Sequence, residues 1–123
     1  MFELKILSHF SAAHQLTMVA KKCENLHGHN WRVEVCVKGE KLDTAGVVLD
    51  FGILKRHVKE IMGRLDHKFL NDLPYFTEIQ PSSENIAVYI ATSLKELIDD
   101  PGITVSRVTT WESDDACATY YPV

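Results

Sequence analysis

The sequence predicts an α+β fold of order β-β-α-α-β-β, with two helices covering one face of a single four-stranded antiparallel sheet. Three observations carry this. Apolar residues alternate with a period of two in the first third of the chain, recur at helical spacing in the middle, and return to short β-like runs at the end. Strand pairs joined by short links favour antiparallel pairing, and two consecutive helices favour segregation to one face of the sheet. The 123 residues suit one domain spanning 1–123, and an apolar share of 46% is enough to build a core.

The elements follow in order. Phe2, Leu4, Ile6, Ser8, Phe10, Ala12 and His14 fall on one face of a first strand, with His14 at its end. Residues 15–26 lack periodicity and read as a loop. Trp31, Val33, Val35 and Val37 then alternate with Arg32, Glu34, Cys36 and Lys38 in a second strand that extends back to His27. Gly39 and Gly46 bracket a connection. Phe51, Leu54, Val58, Ile61, Met62 and Leu65 mark the first helix, with Asp50 placed to cap it. Asp66 to Pro81 reads as a loop. Pro81-Ser82-Ser83-Glu84 opens the second helix, whose apolar face is Ile86, Tyr89, Ile90, Leu94, Leu97 and Ile98, and Pro101-Gly102 ends it. Strands near 103–112 and 116–122, joined by Ser113-Asp114-Asp115, close the domain. An open sheet of this kind leaves its edges unpaired, which points to sheet-to-sheet oligomerisation.

Bulk properties narrow the function. A formal net charge of -4 and scattered basic residues argue against a nucleic-acid partner. Cys23, Cys36 and Cys117 do not resemble a disulfide framework and suit a reducing cytoplasm. The first residues lack the basic and apolar regions of a signal peptide. No apolar run approaches the ~18 residues a membrane span needs. The expectation is a soluble, cytoplasmic protein without a membrane partner.

The chemistry concentrates on histidine. His27 and His29 are two residues apart on a strand, so both imidazoles point to one face. Gly28 between them adds no side chain and permits close backbone approach. His14, on the apolar face of the neighbouring strand, could supply a third nitrogen. Three protein nitrogens and one open position describe a catalytic zinc site, whereas Cys23 as a fourth ligand would make the site closed and structural. Such a histidine pair on a strand also occurs without metal. His9 has the opposite strand parity, and His57 lies beside the first helix's apolar stripe; both read as surface or packing residues.

Cys23 lies in the loop before the pair, where a nearby cation would favour its thiolate as base or nucleophile; the alternative is a small buried cysteine, as for Cys36 and Cys117. Asp66 beside His67 could fix the imidazole's tautomer, or the two could end the first helix. Glu112 could hold a guanidine-like edge through two hydrogen bonds, or be a solvated strand-end acid. Glu84 fits helix capping and dipole compensation.

Five motifs occur in register: Phe10-Ser11-Ala12-Ala13-His14, Cys23-Glu24-Asn25-Leu26-His27-Gly28-His29-Asn30, Leu65-Asp66-His67-Lys68-Phe69-Leu70-Asn71, Pro81-Ser82-Ser83-Glu84-Asn85 and Trp111-Glu112. Together they span nearly the whole chain, which resembles the 6-pyruvoyltetrahydropterin synthase family and, within it, the bacterial 6-carboxy-5,6,7,8-tetrahydropterin branch of queuosine biosynthesis. The resemblance implies the tunnelling fold, in which sheets from several subunits close a barrel, usually as a hexamer formed by a dimer of trimers with active sites between subunits. It implies zinc on His14, His27 and His29, Cys23 as catalytic base, Asp66 and His67 as proton-transfer partners, Glu112 as pterin anchor and Glu84 as a further pocket residue. The implied reaction converts 7,8-dihydroneopterin triphosphate to the 6-carboxy product with release of acetaldehyde and triphosphate. Three residues separate Cys23 from His27, as in that branch. A folate-linked branch, which makes 6-hydroxymethyl-7,8-dihydropterin, instead carries a glutamate where Glu24 stands. This chain thus resembles both, and Glu24 is either a second catalytic group or a solvated loop acid.

Overall fold

The computed structural model describes residues 1–17 and 25–122. The elements are β1 (Phe2–His14), β2 (His27–Gly39), α1 (Phe51–Leu65), β3 (Lys68–Phe69), α2 (Ser83–Leu97), β4 (Ile103–Ser113) and β5 (Ala116–Tyr120). The sheet runs β3-β1-β2-β4-β5 and is antiparallel except for the β1–β3 pair. The α+β class and the order of the main elements agree with the sequence reading. The sheet has five strands rather than four, because Lys68 and Phe69 pair with Ala12 and Ala13 inside the segment read as a loop. Two residues carry no periodicity, so only the tertiary contact defines β3. Two turns of 3-10 helix, Leu70–Asp72 and Pro74–Phe76, occupy more of that segment and bury Leu70 and Phe76.

The core lies between one sheet face and the two helices. Ile6, Phe10 and Ala12 from β1 and Trp31, Val33, Val35 and Val37 from β2 meet Leu54, Val58, Ile61 and Leu65 of α1 and Ile86, Ile90 and Leu94 of α2. Burial of each large aliphatic side chain contributes about 1.5–3 kcal/mol. Phe10 and Trp31 stack across the β1–β2 pair at 5.7 Å between ring centres. The Asp50 carboxylate accepts from the Gly52 amide at the start of α1, and the Ser82 hydroxyl accepts from the Asn85 amide at the start of α2. Phe51, expected on the core stripe, is exposed in the first turn of α1. Gly46 has φ +81° in the connection after β2, a conformation that favours glycine.

The register of β1 on β2 is unbroken from Phe2 opposite Gly39 to His14 opposite His27. It brings His14 and the His27/His29 pair to one end of the sheet, on the helix-facing side. The opposite face is polar. There the Glu3 carboxylate accepts from Ser106 Oγ at 2.8 Å and Arg107 Nη2 at 3.2 Å, spanning from β1 to β4. Cys36 is buried, and burial pushes its thiol pKa up. Cys117, expected to be buried, is exposed, because its pairing with Trp111, itself opposite Arg32, places it on the sheet face that the helices do not cover. Among the described residues no helix is long and apolar enough to cross a membrane.

Candidate metal centre

Strand alternation delivers the three histidines. His14 closes β1, and His27 and His29 open β2 on the same face, with Ala12 opposite His29. His14, His27, His29 and Glu112 each place one ligand atom so that all four lie within 4.8 Å of one another. His14 Nε2 is 3.0 Å from His27 Nε2, and Glu112 Oε1 is 3.1 Å from His14 Nε2 and 3.2 Å from His29 Nε2. Tetrahedral zinc with bonds of 2.0–2.2 Å separates its ligand atoms by about 3.3–3.6 Å, a few tenths of an ångström wider than these three spacings.

The hydrogen bonds behind the imidazoles say what the group can hold. His14 Nδ1 donates to the Pro81 carbonyl at 2.7 Å, and His27 Nδ1 donates to the Asn25 carbonyl at 2.7 Å. In neutral imidazoles, those bonds leave both Nε2 atoms as bare lone pairs, facing each other across 3.0 Å. Two lone pairs so close repel unless a cation lies between them. Carbonyls that fix the tautomer of metal-binding histidines in this way are a regular feature of metal sites. The donor set of imidazole and carboxylate suits a divalent ion such as zinc. Gly28 is not needed for steric room: a Cβ there would come no closer than 3.8 Å to the Ala12 carbonyl oxygen, an ordinary contact.

Glu112 reaches this group from β4. Trp111 pairs with Cys117 and Ser113 with Ala116, so Glu112 is the extra residue of a β-bulge, a device that re-aims side chains near sites. Sequence reasoning had Glu112 as a substrate anchor and did not place it among the metal-capable groups. The carbonyls of Pro81 and Asn25 were also missed, since a backbone acceptor leaves no residue-type signal.

Asp66 and His67 do meet. His67 Nδ1 lies 2.8 Å from Asp66 Oδ2, and Asp66 Oδ1 accepts from the Ser11 amide at 2.8 Å. The Ser11 amide and the His67 imidazole hold the Asp66 carboxyl below its usual range. The His67 amide in turn donates to the Ser11 carbonyl at 2.6 Å, and His67 adopts φ +58°. The pair is thereby clamped to the outer edge of β1, with His67 projecting into solvent at 83% exposure. His67 and His29 border one shallow depression of about 400 Å³, together with Ser11, Gly28 and Asn30. Glu84 is exposed in the first turn of α2, outside the metal-capable group. Cys23 and Glu24 lie outside the described residues.

Residues 3–123 match the 6-pyruvoyl tetrahydropterin synthase family. The chain belongs to that family. It is 42% identical over 113 residues to a putative 6-carboxy-5,6,7,8-tetrahydropterin synthase of Archaeoglobus fulgidus, covering 92% of this chain and 90% of that protein. It is 36% identical over 125 residues to the human 6-pyruvoyl tetrahydrobiopterin synthase, covering 90% and 85%. The solved 6-pyruvoyl tetrahydropterin synthase of Caenorhabditis elegans superposes with a TM-score of 0.88 at 28% identity, over 99% of this chain and 96% of that one. Membership of this synthase family makes the chain an enzyme of the tetrahydropterin synthase type.

Proposed function

We propose that this enzyme converts 7,8-dihydroneopterin triphosphate and water to 6-carboxy-5,6,7,8-tetrahydropterin, acetaldehyde and triphosphate, a step toward queuosine, with zinc held by His14, His27 and His29. The observation that carries the reading is the convergence of three imidazoles, two of them with Nδ1 committed to carbonyls, in a chain of this synthase family. The 42% identity to a relative named for the 6-carboxy product supports that branch. Zinc at this place would act as a Lewis acid toward side-chain oxygens of the substrate and would acidify the neighbouring C–H and O–H groups.

The remaining work falls to the chain. Cys23 as thiolate removes a proton from the substrate side chain. Asp66 holds His67 with Nδ1 protonated, which leaves Nε2 free to accept a proton and return it. Glu112 takes the guanidine-like edge of the pterin through paired hydrogen bonds, and Glu84 serves as a further pocket residue in this reading. Zinc has no redox role, so the reduction of the pyrazine ring is balanced by oxidation of the side-chain carbon that becomes the carboxyl group. The outer edge of β5 and the part of β1 before Ser11, unpaired among the described residues, support assembly of several sheets into a barrel, as a hexamer in this reading.

Product analysis after incubation with 7,8-dihydroneopterin triphosphate tests the proposal. A 6-carboxypterin product is expected; a 6-pyruvoyl product would reassign the enzyme. A second reading, supported by Glu24 beside Cys23, is side-chain cleavage to 6-hydroxymethyl-7,8-dihydropterin. On that reading Glu24→Ala lowers the hydroxymethyl share, and an unchanged ratio removes Glu24 from the chemistry.

A further inference from the structure

Glu112 cannot do two things at once. Its carboxylate oxygen sits 3.1 Å from His14 Nε2 and 3.2 Å from His29 Nε2, at spacings that would let it share one metal ion with them. A site of three imidazoles and one carboxylate has four protein ligands and no open position, yet catalysis needs one. Resting on the metal reading above, we infer that Glu112 is a displaceable fourth metal ligand. It closes the centre in the resting enzyme and leaves when substrate oxygens arrive.

The four ligands are not equally held. His14 is buried at 1% exposure, and both His14 and His27 are pinned through Nδ1 to backbone carbonyls. Glu112 is 36% exposed, and among the described residues its carboxylate has no partner outside the imidazole group. It also stands at the bulged position of β4, without its own opposite residue on β5. Rotation about its side-chain bonds is enough to withdraw it, and no strand has to move. The imidazoles form the fixed part of the centre and Glu112 the exchangeable part.

The exchange has a chemical consequence. One carboxylate–metal bond breaks and one bond to a substrate oxygen replaces it, with no electron transferred. Loss of the anionic ligand raises the net charge at the metal from about +1 to +2. The centre therefore becomes strongly acidifying only once substrate is present. The released carboxylate is then free to receive N–H donors of the pterin edge, so that recognition and activation occur as one event.

Cobalt(II) in place of zinc makes the ligand set visible through its d–d absorption. The full-length wild-type chain and Glu112→Gln are loaded with cobalt, competed against a chelator, and titrated with 7,8-dihydroneopterin, whose binding is followed separately by equilibrium dialysis. The expected results are at least about tenfold weaker cobalt binding in Glu112→Gln, an altered resting spectrum, and a wild-type spectrum that shifts as the pterin saturates. Equal affinity and equal resting spectra in the two proteins would overturn the ligand assignment. A wild-type spectrum that stays unchanged while dialysis shows saturation would overturn the exchange, and that measurement stands even if the variant fails to fold. Absence of any cobalt or zinc binding by the wild-type chain would overturn the metal centre itself, an outcome distinct from the other two.

Discussion

At the scale of single residues, the site divides into groups whose direction follows from strand parity and groups whose direction does not. His14, His27 and His29 were legible because alternate residues of a strand share a face, and their strands pair without a slip. Glu112 was legible as an acid of interest, but its approach to the imidazoles depends on a bulge set by pairing with β5, which no local pattern encodes. The Asp66–His67 contact was left open by sequence, since adjacent residues meet only when the backbone bends. Here it does, at φ +58°. Two outcomes belong to this scale. Cys23→Ala should retain zinc and fold, measured by metal analysis and circular dichroism, while losing turnover by about 10²-fold or more; loss of metal and fold together would make Cys23 a structural ligand. Asp66 has a depressed pKa, so its contribution to stability is present above its ordinary value near 4 and disappears as pH falls through the lower folded value. Urea unfolding of the metal-free protein between pH 7 and pH 2 should show this acid-side loss, and Asp66→Asn should flatten it.

At the scale of elements, the long periodic segments were read closely. β1 occupies Phe2–His14 as expected, and both helices begin after the capping residues Asp50 and Ser82. What escaped the sequence is the segment between the helices, where side chains rather than periodicity set the course. There Asn71 accepts from the Gln15 amide at 2.9 Å and donates to the Gln15 carbonyl at 2.7 Å, acting as a one-residue substitute for a strand partner. Gln80 Oε1 accepts from the Thr17 amide at 2.8 Å. These bonds hold the chain where it leaves His14. Asn71→Ala should lower stability by about 1–3 kcal/mol in urea unfolding. It should also weaken zinc binding measured by chelator competition, because the backbone beyond His14 is no longer fixed; unchanged zinc affinity would confine Asn71 to stability alone.

At the scale of the whole molecule, the sheet's edges are where the proposed assembly would form. β3 covers only Ala12 and Ala13 of β1, and the Asp66–His67 segment covers Ser11. Ser11 turns its amide and carbonyl away from β2, so by alternation His9, Leu7, Lys5 and Glu3 do the same along an unbroken register. Proline at such a position removes an outward amide and spares the pairing with β2. Leu7→Pro should therefore reduce assembly in sedimentation velocity while the separated chains keep zinc; an unaltered sedimentation profile would place the contact elsewhere. That an open sheet has edges was legible from the strand count, whereas the section of edge left unpaired among the described residues required the register. The same register separates the two ends of the molecule. β2 carries His27 at one end and Gly39 at the other, and 13 residues at 3.2–3.4 Å each span about 40 Å. The exposed connection that follows Gly39, with its turn at Gly46, sits at that remote end. A peptide tag or surface anchor inserted there would tether the protein with its histidine-bearing end turned outward, which makes this loop the place to attach the enzyme to an electrode, a bead or a second catalyst.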